Sequence, residues 1–177
     1  AEDNKKLRIV NVLCDVYTTA IRGIPVTVLL MIFYFIIFVS DTTGIMTAII
    51  AFGINSGAYM AELIRSGLNA VDRGQMEAAR SLGMSKGQAM KKIIFPQAIK
   101  NILPAIGNEC IALLKETSLV TVIALPDVTK ASQVIVSKTY TATIPYIALA
   151  VIYLVLVVIL TKLLGILERR LRQSDKR

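Results

Sequence analysis

Long stretches without a charged residue dominate this chain and leave few folds open to it. Residues 23–40, 42–61 and 139–161 contain no Asp, Glu, Lys or Arg, and a shorter stretch of the same kind covers 101–108. A helix needs about 20 apolar residues to cross the hydrocarbon core of a bilayer, where it satisfies its own backbone hydrogen bonds. With 55% hydrophobic residues and a mean hydropathy of +0.64, the sequence predicts an all-α membrane protein.

Four membrane-spanning helices are predicted within one transmembrane domain that covers residues 1–177. They are placed at about 23–40, 44–64, 99–116 and 143–164, and the third requires that Glu109 be tolerated inside it. The apolar run at 119–125 is too short to cross, so a partial re-entry at the outer face is expected. The first apolar run is too long for a signal peptide and lacks a small-residue cleavage pattern.

Positive charge lies mainly on one side of the predicted spans. Of the 20 Lys and Arg residues, 17 flank the ends that face a single side, and only three, Lys115, Lys130 and Lys138, fall in the segment 115–141. By the positive-inside rule, the side with 17 of the 20 Lys and Arg residues is cytoplasmic, and both ends of the chain lie on that side. The net charge of +8 follows from this asymmetry. Nucleic-acid binding by the basic tail is an alternative that the charges do not require.

The loop at 70–96, between the second and third spans, has the signals of two short helices. Asp72 is a candidate N-cap with Gln75 as its reciprocal partner, and the good helix formers that follow end at Gly83, where a left-handed residue would close the helix. Ser85 and Gln88 form a second capping box.

The second helix of this loop is expected to run to about Ile94, and Pro96 ends it or begins the next helix. Leu82 and Met84 lie near the apex, where they could enter a groove on another protein. The alternative is an amphipathic loop that lies on the lipid headgroups.

The spacing within this loop resembles a known family. Glu77, Ala78 and Ala79 are followed after three residues by Gly83, and an I-x-F-P run ends at Pro96. This pattern, between two spans, is similar to the coupling loop in permease subunits of bacterial ATP-binding-cassette (ABC) importers with the type I importer fold. Two further runs, Arg22-Gly23-Ile24-Pro25 and Lys115-Glu116-Thr117-Ser118-Leu119-Val120, resemble amino-acid permeases of this class. The resemblance covers about residues 12–170.

The resemblance implies a set of partners. The loop would dock to an ATP-binding-cassette ATPase dimer through Glu77, Ala78, Ala79, Leu82, Gly83 and Met84. A second permease subunit, identical or related, and an extracellular solute-binding protein would complete the importer in the bacterial plasma (inner) membrane. The substrate would be a basic or polar amino acid. Members of this family usually carry one more span before R-G-x-P, and the polar segment 1–21 leads us to expect that this helix is missing, either because the chain is a fragment or because the helix is supplied elsewhere.

Two faces of the second span stand out. Gly53, Gly57 and Ala61 recur every four residues, which favours close approach of another helix. A polar stripe follows the adjacent face at intervals of 4, 3, 4 and 3 and consists of Asn55, Tyr59, Glu62, Ser66 and Asn69. This stripe either lines a transport route or packs internally, and Glu62 could pair with Arg65.

Glu109 is the most suggestive single residue, because an ionisable group inside a membrane helix is costly and usually functional. It could hold a cationic group of the substrate, or it could make a structural ion pair or hydrogen bond across the bundle. The candidate substrate-binding residues are Glu109, Asn108, Asn55, Tyr59 and Ser66. Pro104 and Gly107 predict an irregularity in the same helix.

Other functions lack the necessary residues. The chain has no histidine, its two cysteines fall on different segments, and it has no phosphate-binding G-x-x-x-x-G-K-[ST] motif. We therefore expect a transporter subunit that is not an enzyme and binds no cofactor or metal, with ATP used by the partner ATPase. The alternatives are a truncated membrane-interaction protein that does not transport, and an intramembrane enzyme that uses Glu109 with Lys115 or Glu62.

Overall fold

Most of the described part of the protein is helical. The computed structural model describes the backbone of residues 2–173 and the side chains of residues 7–169, and these residues form no strand. The helices are α1 (Glu2–Gly23), α2 (Val26–Ile32), α3 (Ile45–Asn69), α4 (Arg73–Ser81), α5 (Lys86–Ala89), α6 (Phe95–Glu116), α7 (Val128–Thr139) and α8 (Thr143–Gln173). Two π-turns (Phe33–Ile37 and Met90–Ile94) and a 3-10 helix (Thr117–Ile123) join them. The predicted all-α class is confirmed.

Two helices of the described residues, α3 and α8, are each long and apolar enough to cross a membrane. Two bent pairs, α1 with Val26–Ile37 and Lys86–Ile123 with α7, raise the number to as many as four if each pair is one span. The predicted spans 44–64, 99–116 and 143–164 fall within α3, α6 and α8 except for residue 44. Of the cations used to orient the chain, Lys5, Lys6 and those beyond residue 169 lie outside the described side chains.

The sequence predicted no membrane span over residues 1–21. Residues 2–23 nevertheless form a helix, α1, and the chain bends by 102° between α1 and Val26–Ile37. Pro25 fixes its own φ and donates no backbone hydrogen bond, so α1 cannot continue straight into α2. The helix after the bend covers 26–37, about 18 Å at 1.5 Å per residue, which is less than the hydrocarbon thickness.

The segment from α5 to α6 follows its predicted course. The helical segment that starts at Lys86 reaches Ile94, and Pro96 lies in the first turn of the next helix, α6, which the π-turn Met90–Ile94 joins directly to α5. Proline removes a hydrogen-bond donor and crowds the carbonyl four residues earlier, and a wider π-turn just before it relieves both problems. α6 continues through Pro104 and Gly107 without a break, although Pro104 has no N–H to donate to the helix.

The described chain forms two compact units. The first contains residues up to 59 together with 112–157, and the second contains 60–111 together with the residues from 158 onward. The apolar core of the first unit consists of Leu30, Ala48, Ala51, Phe52, Val120 and Ile123. Two of these core residues, Val120 and Ile123, lie on the 3-10 helix, so the apolar run 119–125 packs against α2 and α3, and its partial re-entry into the membrane stays a prediction.

The second unit has a smaller core around Val71, Ile94, Ala98 and Ile102, which lie at the end of α3 and along the chain from α5 to α6. α3 and α6 approach each other closely at Gly67, where a Cβ atom would overlap Cγ1 of Ile102. Gly107 is equally restricted, because a Cβ there would overlap the Leu164 side chain of α8. Glycine is therefore required for close packing at both positions.

The small-residue face predicted for close helix approach is largely uncovered by the described part of this chain. A Cβ at Gly53 would meet nothing within 4 Å, Ala61 is exposed, and Gly57 approaches only the Tyr17 hydroxyl, 3.1 Å from a Cβ. That hydroxyl donates a hydrogen bond of 2.6 Å to the Ile54 carbonyl, which ties α1 to α3. The sequence pattern identified small residues but could not tell which of them faced a helix.

Asp41 organises the start of α3 in a way that the sequence reading missed. Its Oδ2 accepts hydrogen bonds from the backbone N–H and the hydroxyl of Thr47, at 2.9 and 2.8 Å. Its Oδ1 accepts from the backbone N–H groups of Thr43 and Gly44 at 3.2 and 3.1 Å, and from the Thr43 hydroxyl at 3.0 Å. These bonds satisfy backbone donors that a helix N-terminus otherwise leaves unpaired. The Thr47 N–H contributes most, followed by its hydroxyl, to lowering the pKa of Asp41 from 3.8 to about 2.

We expect this cap to make the stability of the protein depend on acid pH. Because the pKa in the folded state lies below the unfolded value, the contribution of Asp41 is fully present above pH 3.8 and is lost as the pH falls through about 2. The thermal midpoint of wild-type protein in detergent should therefore fall more steeply between pH 4 and 2 than that of Asp41→Asn. If the thermal midpoints of the two proteins fall equally between pH 4 and 2, the Asp41 carboxylate does not stabilise α3. Asp15→Asn, which removes a carboxylate from α1, serves as the control.

Candidate functional site

The loop between α3 and α6 is built from local caps. At the start of α4, the carboxylate of Asp72 accepts a hydrogen bond of 2.6 Å from the Gly74 N–H, which confirms the predicted N-cap. The predicted reciprocal bond from Gln75 does not form. Instead, the side chain of Gln97 donates a hydrogen bond of 3.4 Å to that of Gln75, so this residue links α4 to α6.

Gly83 ends α4 in the left-handed conformation, as predicted, with φ +83°. Its N–H donates to the Arg80 carbonyl at 3.0 Å, and the N–H of Met84 donates to the Ala79 carbonyl at 3.1 Å. This pair of bonds is the Schellman arrangement, which satisfies the last carbonyls of a helix and turns the chain sharply. A Cβ at Gly83 would meet no atom of a residue beyond its chain neighbours within 4 Å. Glycine is therefore needed there for its backbone conformation and not for space.

The second helix of the loop begins with the predicted capping box. The Ser85 hydroxyl accepts from the Gln88 N–H at 3.2 Å, and the Gln88 side chain accepts from the Ser85 N–H at 2.8 Å. A side chain that the sequence reading did not single out closes the corner from α4: Arg80 Nη1 donates a hydrogen bond of 2.9 Å to the Met84 carbonyl. The corner is therefore held on both sides by bonds that span only a few residues.

The residues predicted to dock to an ATPase divide into two groups. The Leu82 side chain, at the apex, is 82% exposed, and Glu77, Ala78 and Gly83 are also exposed. Met84 is half-buried, and Ala79 is only 1% exposed. Ala79 therefore packs inside the loop and cannot be presented to a partner. The carbonyl of Glu77 accepts a hydrogen bond of 3.0 Å from the Ser81 hydroxyl.

The predicted substrate-binding residues of α3 have very different environments. Asn55 is 2% exposed, Tyr59 is half-buried and Ser66 is exposed. The guanidinium of Arg22 lies over the Tyr59 ring, 5.3 Å from its centroid, in a cation–π contact. The run Arg22-Gly23-Ile24-Pro25 in the sequence gave no indication of this contact. Glu62 pairs with Arg65 at 2.9 Å, as suggested.

The two candidates on α6 are adjacent, so their side chains diverge by about 100° around the helix. Asn108 is exposed and Glu109 is half-buried. Both belong to the second unit with Ser66, whereas Asn55 and Tyr59 belong to the first. The assignment of these five residues as a substrate site stays a prediction.

Comparisons with known proteins agree on a family. The sequence profile described as "Binding-protein-dependent transport system inner membrane component" matches residues 1–173. The arginine transport system permease protein ArtQ of Bacillus subtilis (strain 168) is 44% identical over 166 residues, which cover 92% of this chain and 76% of ArtQ. The putative glutamine transport system permease protein GlnP of Rickettsia bellii (strain RML369-C) is 41% identical over 169 residues, which cover 94% of this chain and 78% of GlnP.

Solved structures support the same conclusion. A chain of the structure described as "Crystal structure of an amino acid ABC transporter with histidines" superposes with a TM-score of 0.86 at 44% identity, over 92% of this chain and 77% of that one. An inward-facing MetNI methionine ABC transporter shares the fold, with a TM-score of 0.70 at 21% identity over 96% of this chain and 77% of that one. The chain therefore belongs to the family of binding-protein-dependent inner-membrane transport components and is an amino acid permease of the ABC type.

Proposed function

We propose that this chain is a membrane-spanning subunit of an ATP-driven importer for a basic or polar amino acid. It forms part of the translocation pathway, and the loop from Asp72 to Pro96 couples that pathway to a separate ATPase. A second permease subunit and an extracellular solute-binding protein complete the assembly in the bacterial inner membrane. Both ends of this chain lie in the cytoplasm, as the distribution of Lys and Arg predicts.

The exposed apex of the loop carries this proposal. The Leu82 side chain is 82% exposed, and the transfer of an aliphatic side chain from water into an apolar groove on a partner lowers the free energy. Its backbone is set by the Schellman bonds at Gly83 and by the capping box that starts at Ser85. A preorganised protrusion of this kind loses little conformational entropy on binding.

The same caps support a mechanical role for the loop. Because α4 and α5 are joined by a turn with hydrogen bonds on both sides, a displacement of the apex moves both helices together. The chain continues from α5 without interruption into α6, which carries Glu109. We therefore propose that closure of the ATPase dimer pushes the loop as a lever and that alternating access of the pathway follows.

The proposed substrate class rests on Glu109 and on the relatives. The names of two similar permeases refer to arginine and to glutamine, which are a basic and a polar amino acid. A half-buried carboxylate on a membrane helix can accept charge-assisted hydrogen bonds from an ammonium or guanidinium group. Glu109 is accordingly proposed to contact the cationic side chain of a basic substrate, with Asn108, Asn55, Tyr59 and Ser66 as further contacts.

Copurification of an ATPase tests the docking role. When the permease is purified from its native membrane in mild detergent, we expect an ATP-binding subunit to accompany wild-type protein and the matched variant Leu82→Met. The ATPase should be lost from Leu82→Asp, because a carboxylate at the apex cannot enter an apolar groove without a large desolvation cost.

Membrane insertion and the thermal midpoint of all three proteins are measured in parallel, so that a folding defect is recognised. Equal recovery of the ATPase with Leu82→Asp would show that the apex is not a docking surface. Recovery of no ATPase with the wild-type protein would contradict the importer function itself.

A further inference from the structure

We propose that the first unit contains a binding site for an aminophospholipid, with one acyl chain in an apolar cavity and the ammonium headgroup at Asp127. The proposal depends on the membrane setting of the family and not on the substrate or direction of transport. Phosphatidylethanolamine has the required chemistry, an ammonium group with N–H donors linked to two long hydrocarbon chains.

The cavity has a volume of about 490 Å³, which lies within the range of about 300–1,000 Å³ usual for small-molecule sites. Eight of its eleven lining side chains are apolar: Ile45, Ala48, Ile49, Phe52, Leu113, Val120, Leu125 and Val128. The other three are Thr117, Asp127 and Tyr153. All eleven residues belong to the first unit.

The walls suit a hydrocarbon chain better than an amino acid. A zwitterionic amino acid that entered the cavity would lose the hydration of its ammonium and carboxylate groups. The three polar side chains of the walls cannot replace that hydration, so its entry is unfavourable. The cavity is not sealed, since Ile45 and Ile49 are 53% and 61% exposed on α3. α3 is apolar enough to cross the membrane, so its exposed aliphatic residues have lipid tails as their natural neighbours.

Asp127 supplies the observation that selects a lipid with an ammonium group. Its Oδ1 accepts a hydrogen bond of 2.7 Å from the Lys130 N–H and caps α7. Its Oδ2 is buried and has no hydrogen-bond partner. A buried carboxylate oxygen without a donor is costly, and an incoming N⁺–H group would remove that cost.

The position of Asp127 also fits a lipid headgroup. It follows the 3-10 helix and starts α7, and it lines the cavity together with Ile45, the first residue of α3. The distribution of Lys and Arg places the segment 115–141 on the outer side of the membrane. The carboxylate then lies at the level of the outer headgroups while the cavity extends toward the acyl chains.

The chemistry predicts a definite order among lipids. Phosphatidylethanolamine donates N–H groups to Asp127, phosphatidylcholine carries a cation without any N–H, and phosphatidylglycerol carries no cation. We therefore expect phosphatidylethanolamine to be retained about tenfold or more above the other two, the ratio that corresponds to one charge-assisted hydrogen bond.

Native mass spectrometry of the intact permease–ATPase complex tests this order. The complex is purified from nanodiscs that contain equal amounts of the three lipids, and the lipid that stays bound to the permease is identified. Asp127→Asn should abolish the preference for phosphatidylethanolamine but keep a bound lipid. Ile49→Trp, which fills the cavity from its exposed side, should remove the bound lipid. Glu168→Gln and Ile147→Trp, which alter residues of α8 outside the cavity, should behave as wild type.

Several results would overturn the proposal. Equal retention of the three lipids by wild-type protein, or an unchanged preference in Asp127→Asn, would exclude recognition of the ammonium group. Displacement of the bound lipid by arginine at saturating concentration would assign the cavity to substrate. Separation of the permease pair by Ile49→Trp, without a change in bound lipid, would show that a second permease copy covers the cavity. Lipid retention is measured without transport, so an inactive complex that still selects phosphatidylethanolamine would contradict the proposed importer and leave the lipid site intact.

Discussion

Replacement of Gly83 by valine is expected to abolish amino acid uptake while the protein still inserts into the membrane. The residue has φ +83°, a conformation that costs an ordinary L-residue roughly 1–2 kcal/mol and costs a β-branched residue more. Since a Cβ at this position would meet no atom within 4 Å, the substitution acts through the backbone and not through a steric clash. The Schellman turn would open, and Leu82 would leave the position from which it is proposed to dock.

Uptake of radiolabelled amino acid by reconstituted complex measures this effect, and two variants serve as controls. Gly83→Asn should keep most of the activity, because asparagine tolerates the left-handed region better than other residues with a side chain. Gly87→Val places the same side chain in α5, where a Cβ also meets nothing within 4 Å, and should be nearly neutral for uptake. Full uptake by Gly83→Val would exclude the lever as the coupling element.

The second large effect is expected at Glu109. If its carboxylate holds a cationic side chain, Glu109→Gln keeps the shape but loses a charge-assisted hydrogen bond, which is worth about 1.5–3 kcal/mol. Arginine uptake should then fall by about 10- to 150-fold relative to wild type. Glutamine uptake should change much less, because the side chain of glutamine carries no charge.

The comparison of two substrates separates recognition from structure. A structural role for Glu109, in which the carboxylate holds the helices together, would reduce arginine and glutamine uptake equally. Glu62→Gln is the matched control, since that carboxylate already pairs with Arg65 at 2.9 Å and is not assigned to substrate. It should affect both substrates to the same extent.

The coupling loop shows how far local sequence can be used to predict structure. The caps at Asp72 and Ser85 and the left-handed Gly83 were all predicted, because each depends on hydrogen bonds among residues at most five apart. The bond from Arg80 to the Met84 carbonyl is just as local. The sequence did not predict this bond, because a flexible arginine side chain can reach many acceptors. Only the folded turn at Gly83 brings the Met84 carbonyl within reach of Arg80.

The substrate residues show the opposite case. The 3.6-residue period placed Asn55, Tyr59 and Ser66 on one face of α3, but Asn55 is 2% exposed, Tyr59 is half-buried and Ser66 is exposed. Periodicity identifies a face and does not say what covers it along its length. The Arg22 guanidinium over Tyr59 depends on how α1 packs on α3, and no spacing in the sequence indicates that.

The sequence by itself determined that this protein is helical, that it belongs in a membrane and that its loop turns at Gly83. These features depend on apolar runs, on charge and on hydrogen bonds within a few residues. Only the tertiary structure decided that α1 is a helix bent by 102° from the next, that Gly67 and not Gly53 is the point of close packing, and that Asp127 borders an apolar cavity. The physical reason is that each of these depends on which distant helix arrives beside a residue, and that choice is made by the packing of the whole chain.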